Sequence, residues 1–495
     1  MFVPKELSAL ISGVLARGFQ IDPDAFVLLS NLPLDIDVEA VLEKVIEGKL
    51  NVVSNRTIRR IDIEIVLPAE TVEVETNSAS MKSDSRLEIM SDPTDEISPE
   101  EAESGFKKLF EDRYAQLMSI ARRRPDSKNM ISASSANRLK SNEKAKIAGL
   151  LSSRISKKGN VELIIDDPTG TCRILCSDKR VVESASRIPL DALVMIELSR
   201  SKGGQFYANS VSLPDIPSGR PVGSSHRAYA ILLSDLHIGS RMFLQEDFER
   251  FVQWLNGTYG DDDLVSRVRY LVIAGDVVDG VGVYPGQEYQ LSEVDLKRQY
   301  LLAAQLISGV PKRIQIIISP GNHDPVRQAL PQPAIPSDFG EPLYVLDNVK
   351  MVGNPVFVKL NGVTFLVYHG RSLDDIIGTI PELSYDRPAT AMQILLKARH
   401  LAPIYGKRTA LSPEKRDMLV IDPVPDVFHS GHVHTIDTLE YRGTSIINSG
   451  TWQSQTHFQA NMGLDPTPSI FPIVNLSTLD VTKRSMRNQN FVSGS

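Results

Sequence analysis

The sequence has few of the features that mark secreted, membrane-spanning or strongly basic proteins. Its 495 residues contain two cysteines, Cys172 and Cys176, which excludes a disulfide framework. A CxxxC pair can bind metal or act in redox chemistry, but without a second pair we favour two reduced thiols. No apolar run reaches about 18 residues, the length that a membrane-spanning helix needs. The N-terminus has no cationic segment before a long apolar stretch, so we expect no signal peptide and a cytoplasmic protein.

Aromatic residues are also scarce, and positive charges do not outnumber negative ones. The net charge of −7 excludes a surface that is basic throughout. Any nucleic acid would therefore have to meet a local basic groove, metal ions or a partner subunit.

The length of the chain predicts several domains, because one core rarely serves 495 residues. Residues 1–68 contain short amphipathic segments, and several of them open with a capping Asp. They predict a small helical module suited to docking.

Residues 69–105 are rich in acids, Ser, Thr and Pro, and they bury too little apolar surface to offset their ordering entropy, so we expect a disordered acidic linker. Residues 105–124 have helical spacing and lead into the next domain.

Residues 140–216 read as five short β-rich runs separated by turns, which predicts a small barrel of the OB type. OB barrels often bind single-stranded nucleic acid by stacking bases on aromatic side chains. Here the available aromatics are essentially Phe206 and Tyr207, so we favour a structural role over direct strand binding.

A stretch rich in Pro, Gly and Ser precedes the last domain, residues 226–485. From Ala228 onward, near-continuous apolar strands alternate with helices. This pattern predicts a layered α/β domain in which both faces of a sheet are covered.

Five apolar strands of this domain each end in potential metal ligands. The side chains and their motifs are Asp235 and His237 in ILLSDLHIG, Asp276 in YLVIAGDVVDG, Asn322, His323 and Asp324 in IQIIISPGNHD, His369 in VTFLVYHGRS, and His432 and His434 in DVFHSGHVHT. Any single motif is a weak signal, but five of the nine histidines of the chain fall in this set. Open α/β sheets build their sites at the carboxyl ends of strands, so we expect one shared site.

The donor types in this set predict a dinuclear metal site. Carboxylate, imidazole and amide oxygen together suit Mn²⁺, Fe²⁺ or Zn²⁺. A carboxylate can bridge two ions that lie about 3.5 to 4 Å apart, and two such ions can activate water and clamp a phosphoryl group. Residues spaced i, i+2 on an extended segment point to one side, so each DxH or HxH pair can reach the same site.

Taken together, DLHIG, GDVVDG, GNHD, YHG and GHVH resemble the calcineurin-like metallophosphoesterase superfamily. The resemblance implies a β-sandwich with flanking helices and two metal ions. The ligands that it implies are Asp235, His237, Asp276 and His434 for one ion, and Asp276, Asn322, His369 and His432 for the other. It implies that His323 is no ligand but stabilises or protonates the leaving oxygen, with Asp324 orienting it.

An OB-like barrel before such a domain resembles the small, or B, subunits of replicative DNA polymerases, above all those of the archaeal family D polymerases. The match covers roughly residues 140–485, and every ligand position is filled. The resemblance implies an active 3′→5′ exonuclease that proofreads DNA for a separate large polymerising subunit. As the mechanism, we expect two Mn²⁺ ions to bind a single-stranded 3′ end and the reaction to release a 5′-nucleotide. Arg371 and Ser372 follow His369, and they are candidates for contacting the phosphate, with a capped loop as an equal alternative.

Two other functions remain open from the sequence. One is a protein phosphatase or cyclic-nucleotide phosphodiesterase, although such enzymes need no OB barrel. The other is a non-catalytic scaffold with a vestigial site. The filled set of predicted ligands argues against this scaffold function.

The basic stretch 400–418 is equally compatible with a DNA path, a partner contact or a solvated loop. No clamp-binding motif is evident after Arg484, so the sequence does not decide whether a sliding clamp is a partner.

Overall fold

The computed structural model describes residues 86–219, 223–225 and 227–487, together with two residue pairs nearer the N-terminus. The chain divides into two compact units, residues 1–79 and residues 80–495. In the first unit, Gln20–Ile21 pairs in parallel with Val52–Val53. The helices predicted for residues 1–68 lie outside the described residues, and this strand pair adds a β element that the prediction lacks.

The second unit combines many strands with ten α-helices in its described residues. The strands are β1 Leu87–Ser91, β2 Met130–Ile131, β3 Lys144–Lys157, β4 Asn160–Asp167, β5 Gly170–Cys176, β6 Leu193–Arg200, β7 Phe206–Ser212, β8 Tyr229–Leu233, β9 Val268–Ala274, β10 Gln315–Ser319, β11 Val349–Met351, β12 Val356–Leu360, β13 Val363–Val367, β14 Val427–Ser430, β15 Asp437–Tyr441, β16 Thr444–Asn448, β17 Ile470–Asn475 and β18 Val481–Ser485. The helices are α1 Ala102–Arg122, α2 Ala133–Ala136, α3 Lys179–Ser186, α4 Gln245–Leu255, α5 Asp262–Ser266, α6 Leu296–Ser308, α7 Ser337–Tyr344, α8 Leu373–Thr379, α9 Pro388–Ala398 and α10 His457–Asn461. None of these described helices combines the length and apolar character that crossing a bilayer demands.

The segment that follows the first unit differs from its prediction. The prediction of a disordered linker over residues 69–105 is wrong from residue 86 onward. There, β1 pairs antiparallel with β12 at the edge of a sheet. Leu87 and Ile89 alternate along β1 and pack against the core between the two sheets. The acidic composition hid this alternation, which is the signal of a half-buried strand.

Strands β3 to β7 form the closed five-stranded barrel that was expected for residues 140–216. β3 pairs with β4 and with β6, and β5 pairs in parallel with β7, so the order β3-β4-β5-β7-β6 closes on β3. Helix α3 lies between β5 and β6 and is absent from the prediction. Asp178 caps its first turn, and its buried face packs Val181 and Ala185 into the barrel core. Phe206 also lies in this core, where its ring cannot stack on a base, and this favours the structural role predicted for the barrel.

Strand β2 pairs in parallel with β3 of the barrel, and the other twelve strands form two six-stranded sheets packed face to face. The first has the order β11-β10-β9-β8-β17-β18, and the second has the order β15-β16-β14-β13-β12-β1. Side chains such as Leu232, Val272 and Phe365 fill the space between them. Helices α4 and α6 cover the outer face of the first sheet, and α8 and α9 cover that of the second. Both sheets are therefore covered on two faces, as their continuous apolar strands predict.

Helix α1 connects the barrel with this layered domain. Its apolar face, including Leu117 and Ala121, packs on barrel residues of β3 and β6. On its other side, the buried Arg113 guanidinium lies 2.7 Å from the carboxylate of Asp417, which is also 2.9 Å from His400 Nε2. Because a buried charge that loses its partner is strongly destabilising, this cluster fixes the helix in place.

Candidate metal centre

The structure brings the predicted ligands together at one edge of the two sheets, where β8, β9, β10, β13 and β14 end. Five of these residues adopt left-handed backbone conformations, with φ between 51° and 73°: Asp235, His237, Asp276, His432 and His434. Such a conformation costs a residue with a side chain roughly 1 to 2 kcal/mol. Strained backbone of this kind gathers at functional sites, where the surrounding structure enforces it.

One donor group consists of Asp235, His237 and His434. The Nε2 atoms of the two histidines lie 3.1 Å apart, and His434 Nε2 lies 3.4 Å from Asp235 Oδ1. Asp235 is fully buried, and its Oδ1 finds no hydrogen-bond partner among the described residues. A buried carboxylate oxygen without a partner is costly, and a divalent cation would satisfy it. The group therefore fits a metal ion.

The second donor group consists of Asp276, Asn322, His369 and His432. His369 Nε2 lies 3.3 Å from Asp276 Oδ2 and 3.1 Å from Asn322 Oδ1, and ligand atoms of Asp276, His369 and His432 all lie within 4.8 Å of one another. The same Asp276 Oδ2 lies 3.9 Å from His237 Nε2, which belongs to the first group. One carboxylate thus faces both groups, as a bridging ligand must.

Two glycines make this close approach feasible. A side-chain carbon on Gly321 would lie 2.1 Å from Asp276 Oδ1, and one on Gly275 would lie 2.4 Å from His369 Nδ1. Gly275 also has a φ of 87°, a conformation that side chains rarely adopt. The glycines of the GD and GN motifs are therefore required by the packing of the ligands themselves.

The charges of the two groups are strongly coupled. Burial alone would raise the pKa of Asp235, but the adjacent His434 imidazole outweighs it and lowers that pKa to about 2. Burial likewise opposes ionisation of Asp276, yet His369 and His323 hold its pKa well below the usual value. Burial disfavours the charged form of His369, but Asp276 raises its pKa to about 9. The carboxylates therefore stay ionised, and a metal ion would take the place of the histidine protons.

Asp279 contacts two of the site histidines and was not identified from the sequence. Its Oδ1 lies 3.0 Å from His237 Nδ1, and its main-chain oxygen lies 2.7 Å from His323 Nδ1. The side-chain amides of Gln287 and Gln453 each donate to its carboxylate at 3.2 Å. Asp279 is the second aspartate of the GDVVDG motif, so its place in that motif was the available signal. The two glutamines carry no such signal.

Asp374 has a similar place on the opposite side. Its Oδ2 lies 3.3 Å from His432 Nε2, and Tyr385 donates its hydroxyl to Oδ1 at 3.0 Å. Arg371 Nη1 lies 3.8 Å from the same carboxylate, and a third of the Arg371 side chain is exposed. Arg371 therefore lies at the rim of the site, and its phosphate contact stays a prediction.

Two residues predicted for the site have other contacts. Ser372 is buried, and its hydroxyl bonds to the Leu401 carbonyl and the Tyr368 hydroxyl, so the phosphate contact predicted for it is wrong. Asp324 was expected to orient His323. Instead its carboxylate accepts hydrogen bonds from the Tyr300 hydroxyl at 2.6 Å and from the Gly321 amide at 2.8 Å. Asp324 thus stabilises the turn after β10, while the main chain of Asp279 orients the His323 ring.

Comparison with known proteins assigns the chain to a family. A family model that describes the B subunits of DNA polymerases alpha and epsilon matches residues 230–436. The DNA polymerase II small subunit of Archaeoglobus fulgidus is 39% identical over 469 residues, which cover 92% of this chain and 93% of that relative. The chain belongs to the archaeal DNA polymerase II small subunit family.

Other members of the family differ in length. The small subunit of Methanothermobacter thermautotrophicus is 35% identical over 486 residues, 96% of this chain and 99% of that relative. The small subunit of Pyrococcus furiosus is 41% identical over 386 residues, 76% of this chain but only 63% of that relative. The chain therefore spans less than two thirds of the Pyrococcus protein. All predicted metal ligands fall within residues 230–436, and the resemblance to polymerase small subunits is confirmed at the level of the family.

In this chain, Asp279→Ala is expected to weaken divalent-metal binding by about 10- to 100-fold, because groups that orient a ligand histidine typically contribute that much. Titration of Mn²⁺ against a fluorescent chelator would measure the effect. Glu288→Ala is the matched control, since Glu288 is an exposed acid of the same loop. Unchanged affinity in Asp279→Ala would show that His237 keeps its orientation without this carboxylate.

Proposed function

We propose that this chain is the exonuclease subunit of a DNA polymerase, which hydrolyses DNA from the 3′ end with the help of two divalent metal ions. The observation that carries the proposal is the position of Asp276, which faces both donor groups and also accepts a hydrogen bond from the His323 amide at 2.8 Å. In the same proposal, the five-stranded barrel is of the OB type and the two-sheet domain is calcineurin-like.

The donor set would hold the ions in the arrangement expected from the sequence, with Mn²⁺ the best match to its mixture of imidazole, carboxylate and amide oxygen. Asp235, His237, His434 and Asp276 would bind one ion, and Asp276, Asn322, His369 and His432 the other. When bound, the ions supply charge neutralisation at the phosphoryl group and favour deprotonation of water.

His323 is suited to act as the acid in this reaction. Its Nδ1 is engaged by the Asp279 carbonyl, while the ring is partly exposed, so Nε2 is available to a substrate. Water attacks the terminal phosphorus, the bond from phosphorus to the 3′-oxygen of the penultimate nucleotide breaks, and the imidazolium of His323 gives its proton to that oxygen. The proton lost by water passes to solvent, and the products are a 5′-nucleotide and a strand one residue shorter.

We further propose that the chain works with a separate large polymerising subunit. The polymerase names of its relatives support this partner, as does a layout in which α1 connects a barrel to the nuclease domain. The exposed Lys407 and Arg408 lie in the basic stretch 400–418, where either the partner or DNA could be bound.

A gel assay with a 5′-labelled single strand and Mn²⁺ tests the proposed activity directly. We expect a ladder that shortens from the 3′ end, and no turnover of a phosphoserine peptide or a cyclic nucleotide. Turnover of those two substrates without DNA cleavage would favour a phosphatase or cyclic-nucleotide phosphodiesterase. No cleavage together with less than one bound metal per chain would favour a non-catalytic scaffold.

A further inference from the structure

A loop with exposed apolar side chains lies beside His323. It covers residues 280–294, from the last glycine of the GDVVDG motif to the residues just before α6. Val281 is 47% exposed, Val283 is 36% exposed and Tyr289 is 76% exposed, while Tyr284 is half-buried. Exposed apolar side chains that are grouped beside a site, rather than scattered, mark a binding surface.

The buried side chain of Gln287 fixes the conformation of this loop through hydrogen bonds. Gln287 is fully buried, and its side-chain oxygen accepts from the Val283 amide at 2.9 Å. Its side-chain nitrogen donates to the main-chain oxygen of Asp279 at 2.7 Å, the same oxygen that orients the His323 ring. The loop and the ring of His323 are therefore fixed to one common point.

The start of the loop passes directly over the backbone of His323. A side-chain carbon on Gly280 would lie 2.3 Å from the His323 carbonyl oxygen, and Gly280 has a φ of 75°. The ring of Tyr284 lies next to the imidazole, with 6.4 Å between ring centroids and 65° between ring planes. Tyr284 thus offers an aromatic surface adjacent to the acid and outside the two donor groups.

The direction of the proposed reaction determines which part of the substrate meets this surface. His323 protonates the 3′-oxygen of the penultimate nucleotide, so that nucleotide lies next to His323. The ring of Tyr284 lies beside the same imidazole, and the Val283 side chain lies beside Gly280, which approaches the His323 carbonyl. We infer that Tyr284 stacks on the base of the penultimate nucleotide and that Val281 and Val283 extend this apolar surface; the inference rests on the proposed function.

Stacking of this kind determines which 3′ ends of DNA the site accepts. Every base has a flat face, so an aromatic platform accepts any sequence, as a proofreading nuclease must. A base that is paired and stacked within a duplex cannot also stack on Tyr284. The subsite therefore selects unpaired 3′ ends, in which at least the last two nucleotides are free.

An abasic residue placed at either of the last two positions of a single strand tests this assignment. With an intact strand, Tyr284→Ala should raise KM by roughly 5- to 100-fold, the range that stacking of one base covers, and Tyr284→Phe should match the wild type. With a penultimate abasic residue, wild type and Tyr284→Ala should be equally weak. With a terminal abasic residue, the full difference between them should remain.

Tyr289→Ala is the matched control, because it removes an exposed tyrosine from the same loop. An equal loss in Tyr289→Ala, a loss in Tyr284→Phe, or a difference between wild type and Tyr284→Ala that persists on the penultimate abasic strand would each overturn the assignment. Absence of cleavage by the wild type on the intact strand would instead count against the proposed function.

Binding provides a second readout that needs no turnover. 2-Aminopurine loses fluorescence when it stacks, so a strand that carries it at the penultimate position should be quenched by the wild-type chain in EDTA. We expect the quenching to be lost in Tyr284→Ala, kept in Tyr284→Phe, and smaller when the probe is terminal. Equal quenching by wild type and Tyr284→Ala would overturn the inference even if no nuclease activity is found.

Discussion

Asp276→Ala is expected to abolish both metal binding and the proposed nuclease activity. Asp276 faces both donor groups, with Oδ2 at 3.3 Å from His369 Nε2 and 3.9 Å from His237 Nε2. Its Oδ1 also holds the His323 amide at 2.8 Å. Under the proposed function, one substitution would take a ligand from each ion and release the turn that carries the proposed acid. We expect cleavage below detection, and fewer than one of two metal ions retained per chain by elemental analysis.

The matched control is Asp247→Ala, which removes another buried aspartate from the same domain. Asp247 lies on α4, where it bonds to Arg250 and Ser469, and it contacts no residue of the two donor groups. This variant should keep two ions and its activity, at some cost in stability. If Asp276→Ala retained two ions and cleaved DNA at a reduced rate, each donor group would be sufficient for its ion, and the bridging role would be wrong.

The positions of the ligands could be predicted because they depend on strand ends. Parallel strands present their carboxyl ends at one edge of a sheet, so an acid or a histidine directly after each apolar strand must approach the others. Asp235 and Asp276 follow this rule in the first sheet, and the structure places them within one site. The second sheet adds His369, His432 and His434 because it packs face to face with the first and ends at the same edge.

The contacts that orient these ligands could not be predicted, because they depend on how loops fold. Gln453 reaches Asp279 across 174 residues of sequence, and no spacing rule connects the two. Asp324 looked like a partner of its neighbour His323, but its carboxylate turns toward Tyr300 and the Gly321 amide. Adjacency in sequence at a turn does not fix where a side chain points.

Composition was also a poor guide where a few apolar residues decide the fold. Strand β1 lies in an acid-rich stretch, yet it pairs with the edge of the second sheet and packs Leu87 and Ile89 against the core. Ser372 follows a site histidine, yet it faces the interior because its hydroxyl satisfies the buried Leu401 carbonyl. In both places, the burial of a few atoms determined the structure, although the neighbouring residues suggested a disordered linker in one case and a substrate contact in the other.

His323→Ala is expected to keep both metal ions and to lose about 10²- to 10⁴-fold of the cleavage rate, the usual contribution of a positioned acid. Asp276, His369 and the other predicted ligands keep their contacts in this variant. The variant lacks only the imidazole that would donate a proton to the leaving 3′-oxygen. Single-turnover cleavage of a 5′-labelled strand, together with metal content, would measure the two effects separately.

A substrate with a better leaving group distinguishes an acid from a residue that only positions the strand. The p-nitrophenyl ester of thymidine 5′-phosphate releases nitrophenolate, which needs no proton, so His323→Ala should cleave it almost as fast as the wild type. His457→Ala is the control, since His457 is an exposed histidine at the start of α10. It should behave as wild type on both substrates. An equal loss on DNA and on the nitrophenyl ester in His323→Ala would mean that His323 stabilises the phosphoryl group or the strand, and that the leaving oxygen takes its proton from solvent.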